Sequence, residues 1–408
     1  MSYKFVKITT LYREYLNNYY EKNRDIISKS YNEQFAHLMS DFFGWSNYFQ
    51  VNFGKIGVDA YEIISNALPL QKSWAKEHNL KLNNNDLVLE QLKYLKPEIV
   101  FIQDTNTHNG KWVEFIKDEV PSIKKIIGWC CSPYKKENID LYKPFDFILT
   151  CSPKFNIEFQ NYGLKSYQMY HAFEPMVLKS VKEYDHSNII DLIFAGSIIP
   201  GNDFHNERII LLEKIIEFGV DINIYSNIIH DNYLTLVSKQ LLYVINKYFY
   251  KSSLLDFVFG AETMRKINGL NSIPRNYSYS ENMLRKLKKP IYGFEMFKAL
   301  SNAKIGLNIH GGVAGDYAAN IRLFEITGVG ACLLTDWKKN LPEMFNIDTE
   351  IVTYKNTAEC IEKVKWLINH PKECHMIGKA GQIRTLKDHT FENRIKLLDQ
   401  IIKKELYN

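Results

Sequence analysis

No apolar run in the 408-residue chain reaches the ~18 residues that a membrane-spanning helix requires. Met1 to Thr10 lacks the apolar core and cleavage site of a secretory leader, so the expectation is a cytosolic chain. Cysteine is scarce. The six stand at 130, 131, 151, 332, 360 and 374, with no Cys-x-x-Cys pair, which favours buried free thiols over disulfides or zinc. No Gly-x-Gly-x-x-Gly follows the first strand, which disfavours a dinucleotide-dependent oxidoreductase. There is no Asp-x-Asp motif, no paired His/Cys ligand spacing and no internal repeat, so neither a metal nor another cofactor is expected. The excess of one charge sign is small. A net charge of +5, spread along the chain, is too little to imply a nucleic-acid partner, though it suits small anions or an anionic membrane surface.

The composition that remains, 46% hydrophobic and 24% charged, is that of a globular protein, and the length allows two domains of ordinary size. One stretch organises the rest. Ile305 to Ile309 reads as a buried strand, and His310 to Asp316 as a loop with glycines at 311, 312 and 315. A helix is expected from about Ala318, stopped by Gly328 at its C′ position, and Ala331 to Thr335 as the next strand. A glycine-rich loop feeding a helix start is a site for an anion, because the first N–H groups of the helix lack partners and the dipole is positive there. Arg322 and Glu325 share one helix face. Arg322 suits a phosphate and Glu325 a ribose diol; the alternative is a surface ion pair on a packing helix.

The same residues carry a resemblance. Asn320-x-Arg322-x-x-Glu325-x-x-Gly328-x-Gly330-Ala331, then Leu334-Thr335-Asp336, resembles the signature of the CgeB-like glycosyltransferases, of the glycosyl transferases group 1 type. It continues in Glu350-Ile-Val-Thr-Tyr354 and closes in Gly378-x-x-Gly381-x-x-Arg384-x-x-x-x-His389-Thr390-Phe391-x-x-Arg394. Upstream, Pro290-x-Tyr292-Gly293-x-Glu295-Met296 fits too. The resemblance implies the GT-B architecture, two Rossmann-like domains with parallel sheets facing across a cleft. It also implies a nucleotide-sugar donor held mainly by the C-terminal domain, and a metal-independent transfer.

Strands alternating with helices agree with a parallel α/β design. Buried strands are expected at 5–10, 57–65, 98–103, 123–131, 145–150 and 163–170, with a polar linker at 179–188. The expected domains are 1–178 on the acceptor side and 189–388 on the nucleotide-sugar side. Residues 228–287 form a helical insertion, and a last helix at 389–408 braces the first domain. The apolar stretch Leu234 to Leu255 reads as a helix or hairpin that covers the sheet or docks on a membrane or partner.

Transfer of a sugar leaves charge on a departing diphosphate, so donors and cations that meet it stabilise the transition state. For that role the candidates are Gly311, Gly312, Gly315, Asn320 and Arg322, with Ser197 and Arg208 on a second strand–helix turn; Tyr292 and Gly293 are candidates for the base or phosphates and Glu325 for the ribose. The acceptor hydroxyl needs a base if configuration inverts. Asp104, His108 and His171, with Asp41 beside them, are the candidates at strand ends. Retaining relatives carry a second glutamate eight residues before the first; here that position is Tyr317, with Asp316 adjacent, so stereochemistry stays open. The expected activity is a transfer from a nucleotide-diphosphate sugar to a glycan, lipid-linked or polysaccharide acceptor in cell-surface glycan synthesis. The competing readings are a non-catalytic nucleotide-sugar or glycan-binding protein and a nucleotide-sugar epimerase.

Overall fold

The computed structural model describes residues 3–80, 86–132, 134–182, 189–198, 203–227, 233–248, 273, 279–310, 312 and 314–407. Gly311, the turn at Pro200-Gly201, most of the linker at 183–188 and most of the stretch 249–278 lie outside them. The chain divides into two compact units, Met1–Asp191 with Tyr292–Asn408, and Leu192–Ile291. Among the described residues the strands form two six-stranded sheets.

The larger unit holds one sheet complete. Strands β1 (Lys4–Thr9), β2 (Asp59–Ile64), β3 (Ile99–Ile102), β4 (Lys125–Cys130), β5 (Phe147–Thr150) and β6 (Ser166–Gln168) run parallel in the order β2-β1-β3-β4-β5-β6. Their apolar runs are buried from end to end in β3 and β5, as strands covered on both faces must be. The crossover helices start on defined caps. Ser30 and Glu33 form a capping box for Tyr31–Met39, Asp86 caps Leu87–Leu95, Asn109 caps Gly110–Glu119, and Ser152 caps Pro153–Asn161 with proline at the first turn.

In the smaller unit β7 (Ile190–Ala195, whose first two residues belong to the larger unit), β8 (Asn223–Tyr225) and β9 (Leu287–Lys288) pair in parallel. Helices Asp203–Glu217 and Tyr233–Tyr248 belong to this unit. The larger unit also contains β10 (Ala303–Asn308), β11 (Cys332–Asp336) and β12 (Val352–Tyr354), again parallel. Among the described residues no helix is long and apolar enough to cross a membrane.

The last helix, Phe391–Tyr407, packs on the first sheet's helices and edge. Phe391 lies 4.9 Å from the Tyr48 ring, Tyr3 donates to Asp399 at 2.8 Å, and Glu405 takes both Lys165 (2.8 Å) and the Tyr167 hydroxyl (2.6 Å). Just before it, Thr390 bridges Phe173, with Phe173 N–H donating to the His389 carbonyl and Phe391 N–H to the Phe173 carbonyl. Arg394 closes this junction. Its Nε reaches the Tyr170 and His171 carbonyls at 3.0 and 3.3 Å, Nη1 the Asp388 carbonyl, and Nη2 the His389 Nδ1.

His389 gives a pH prediction. Its Nε2 donates to the Met344 carbonyl while Nδ1 accepts from Arg394, so the ring is neutral and fully engaged. Burial, with Arg394 and Arg384 adding, pushes its pKa down to about 4. The folded state therefore gains from a neutral ring above the unfolded value of about 6.5, and that stability is lost as pH falls through the folded value. His171, lowered to about 3 by burial and Arg394, acts in the same direction. Urea unfolding should show on the order of 3 kcal/mol lost from His389 between about pH 6.5 and 4. His389→Gln should flatten that part of the profile; an unchanged slope in this variant would remove the histidine as its cause.

The structure corrects several expectations. The helix after the glycine loop is Arg322–Val329, later than Ala318, because Asn340 holds both the N–H and the carbonyl of Ala318 out of a helix. Its left-handed cap is Gly330 (φ 91°), not Gly328; Gly328 is bare because a Cβ there would strike the Phe173 ring at 2.3 Å. The motif glycines Gly378 and Gly381 lie inside one helix, Pro371–Asp388, and let it rest directly on the backbone at 330–332 and 350. The first residues of the expected linker belong to a helix, Val177–Lys182. Cys131 and Cys151 are paired, not free; Cys130, Cys332, Cys360 and Cys374 are buried free thiols.

Candidate functional site

The ends of β10 and β11 carry a linked polar set. Parallel neighbours in register bring Asn308 beside Thr335, and Asn308 Nδ2 donates to the Thr335 hydroxyl at 2.9 Å. Asn320 Nδ2 donates to Asn308 Oδ1 at 2.8 Å, which ties the loop to the strand. Two residues on, His310 donates both its backbone N–H (2.9 Å) and its ring Nδ1 (2.7 Å) to Asp336 Oδ1. Burial works against the Asp336 charge, but His310 and Lys338 outweigh it and hold the carboxyl at about 2. Lys338 stands 3.4 Å from Asp336 Oδ2 and donates to the Gly315 carbonyl at 3.1 Å.

Between these ends several of the described loop residues are held by hydrogen bonds. Gly315 N–H donates to the Gly312 carbonyl, and Gly315 has φ +60°, a left-handed turn that glycine makes without a Cβ penalty. Asp316 takes Lys339 N–H on its carbonyl and Lys339 Nζ on its carboxylate. Buried Asn340 grips Ala318 from both sides and donates to the Tyr170 hydroxyl at 3.1 Å. Lys154, from the first sheet's helix, closes over the turn: a Cβ on Gly315 would stand 3.8 Å from its Nζ.

Arg322 and Glu325 pair at 2.7 Å, with the guanidinium also against the Met296 sulfur. Glu325 is buried; burial raises its carboxyl above the usual range and Arg322 opposes the shift. Four cations thus surround the segment, each facing a carboxylate. Two of the pairs are loose, Lys338–Asp336 at 3.4 Å and Lys154–Glu158 at 4.0 Å, so an incoming anion can draw those amines without breaking a tight pair.

Gly312, Gly315, Asn320, Arg322 and Glu325 therefore fall in one held segment. Tyr292 and Gly293 open helix Gly293–Ser301, where the backbone meets Asp41: a Cβ on Gly293 would lie 2.3 Å from both the Asp41 carbonyl and Oδ2. Asp41 Oδ1 accepts from Phe294 N–H at 3.4 Å, and burial raises its carboxyl above the ordinary range. Asp104 behaves otherwise. Burial opposes its charge, yet the Thr10 and Thr107 hydroxyls and the Asn106 and Thr107 N–H groups hold it ionised below the usual range. His108 is buried edge-on to Trp112, and burial lowers its pKa. His171 Nδ1 accepts from Trp45 Nε1 at 3.3 Å, between the Trp45 and Trp129 rings. In the smaller unit Arg208 donates to the Ser197 carbonyl at 2.9 Å.

Sequence reasoning did not single out Lys154, Lys338 or the His310–Asp336 pair. The available signal was positional: polar residues directly after two adjacent parallel strands, Asn308-x-His310 and Thr335-Asp336-x-Lys338, must converge at the carboxyl edge where open sheets bind ligands.

Residues 258–400 match the family described as glycosyl transferase-like. No curated protein matches the sequence itself. Solved structures resemble the whole fold. A glycosyltransferase from Rickettsia africae aligns with TM-score 0.52 at 10% identity, over 100% of this chain and 99% of its own. A sucrose-phosphate synthase from Thermosynechococcus elongatus gives 0.53 at 7% identity, over 98% of each. An alpha-glucosyltransferase in complex with UDP-glucose and DNA gives 0.54 at 11%, over 99% of this chain and 100% of its own. At such identities the likeness concerns the fold, which is the GT-B one.

Proposed function

We propose that this protein is a glycosyltransferase that takes a sugar from a nucleotide-diphosphate donor. The observation that carries the reading is the segment from Gly312 to Arg322, held by Asn308, Asn340 and Lys339, with Lys154 and Lys338 at its Gly315 turn and Arg322, paired with Glu325, at its end. As the anomeric bond breaks, the diphosphate gains charge. Groups fixed beforehand meet that charge without reorganising, so they favour the transition state over the ground state. The match over 258–400 and the GT-B fold support the same class of reaction.

Glu325 takes the ribose and Arg322 the diphosphate in this reading. On the acceptor side Asp104 is held ionised by four donors, which suits it to orienting a hydroxyl. Asp41, with its raised carboxyl, is the better matched base. The acceptor we assign is a glycan or lipid-linked glycan of the cell surface, on the resemblance in residues 290–394.

A thermal-shift screen with UDP, GDP, dTDP and CMP tests the donor class. One nucleotide should raise the melting temperature by several degrees; a flat response to all four would count against the proposal. Glu325→Gln keeps the side-chain shape and removes the charge. It should weaken the chosen nucleotide about tenfold, ~1.4 kcal/mol, with little change in melting temperature; equal affinity would take Glu325 off the ribose.

A further inference from the structure

Cys131 follows β4 and Cys151 follows β5, so the parallel register brings them together with Cα atoms 5.5 Å apart, inside the range a disulfide bridges. The other four cysteines, Cys130 next to the pair among them, are buried free thiols, whereas Cys131 is only half-buried. His171 completes the cluster: one atom from each of the three residues lies within 4.8 Å of the others. The imidazole Nδ1 already accepts from Trp45, which favours a thiol pair over a three-ligand metal site. One more contact links the pair to the proposed donor segment. Cys131 Sγ is 3.9 Å from the carbonyl of Ala319, the residue before Asn320. A thiol can donate there; a disulfide sulfur has no hydrogen to give.

We propose that Cys131 and Cys151 form a reversible disulfide that sets the hold on the Gly312–Arg322 segment, the reduced protein being the form that binds donor well. The coupling rests on the donor reading above; the redox pair does not. With a small disulfide such as oxidised glutathione, the half-buried Cys131 thiolate attacks one sulfur, breaks its S–S bond and releases one small thiol. The Cys151 thiolate then attacks the Cys131 sulfur of the mixed disulfide and releases the second. Two cysteine thiols are oxidised, one external disulfide is reduced, and the two protons leave on the two released thiols. In the closed pair the Cys131 sulfur stands beside the Ala319 carbonyl with no hydrogen to give, and reduction supplies the donor for that bond.

The test uses the full chain, treated with oxidised glutathione or with a reductant and then freed of both. Thiols are counted by alkylation and mass spectrometry after unfolding, and affinity for the nucleotide chosen by the thermal screen is measured by calorimetry. Four alkylated cysteines are expected after oxidation and six after reduction. Affinity should be about fivefold weaker in the oxidised protein. Cys131→Ser should give one affinity under both treatments, and Cys151→Ser serves as a second variant if the first folds poorly. Six thiols under both treatments, equal affinities in the two forms, or one equivalent of zinc shielding the pair would each overturn the proposal. A changing thiol count in a protein that binds no nucleotide would keep the redox pair, withdraw its coupling and sink the donor reading instead.

Discussion

Arg322→Ala should lower the rate of sugar transfer by about 10²–10³-fold; it also leaves buried Glu325 without its cation, so the melting temperature should fall and rates are compared on folded protein. The guanidinium is the cation at the start of the helix behind the glycine turn, and its side chain is about 20% exposed, enough to meet a ligand yet shielded from bulk water. Charge stabilisation in such a place is far stronger than at the surface. If Arg322 meets the diphosphate as proposed, the effect should fall on kcat more than on KM, because that charge grows as the bond breaks. Lys339→Ala is the control: its ammonium is largely exposed and pairs with exposed Asp316, so activity should stay within about threefold of wild type. Comparable loss in both variants would mean the whole loop, and not Arg322, was disturbed.

Lys7→Met should destabilise the protein by about 3–5 kcal/mol. Lys7 and Glu62 lie on adjacent strands β1 and β2, 2.9 Å apart and without solvent exposure. Burial pulls the lysine below its usual range and pushes Glu62 up to about 7, with the partners' mutual attraction opposing both shifts. Removing the ammonium strands a carboxyl that also accepts from Gln50 N–H, and abolishes a bond to the Ser46 carbonyl at 3.2 Å. The ammonium stands 4.8 Å from the Phe49 ring centre, so an apolar chain fits the same space. The double variant Lys7→Met with Glu62→Leu should therefore recover most of the loss in urea unfolding. A double variant as weak as the sum of the singles would mean the pair itself supplies the stability.

The sequence was most readable where physics is local. Continuous apolar runs such as Ile99–Ile102 announce buried parallel strands, and each was placed within a few residues. Helices Gly110–Glu119 and Pro153–Asn161 are harder to read, because their apolar faces are short and only the start signals Asn109 and Ser152-Pro153 mark them. The misplaced start at Ala318 had a tertiary cause, the two-sided grip of Asn340 twenty-two residues on, which no local propensity encodes. Gly378 is a local stop signal, yet with Gly381 it serves as a contact point between a helix and neighbouring backbone. The motif from Gly378 to Arg394, which carried much of the family resemblance, turns out to hold the chain's last helix to the loop at 170–173.

The site was half legible. Gly312, Gly315, Asn320, Arg322 and Glu325 stand next to one another in sequence, so a single stretch displays them. Lys154 and Lys338 reach the same turn from 161 and 23 residues away, and only strand order brings them there. Asp104 was singled out for its place after a buried strand, and its four hydrogen bonds could be seen only with Thr10 and Thr107 in position.

The most direct measurement is a crystal structure of the reduced protein with UDP or whichever nucleoside diphosphate the thermal screen selects. The account predicts the diphosphate at the Gly312–Gly315 turn, within hydrogen-bond reach of Lys338 and Arg322, and the ribose hydroxyls on Glu325. A diphosphate bound elsewhere, with that turn and its cations unchanged and unoccupied, would contradict it.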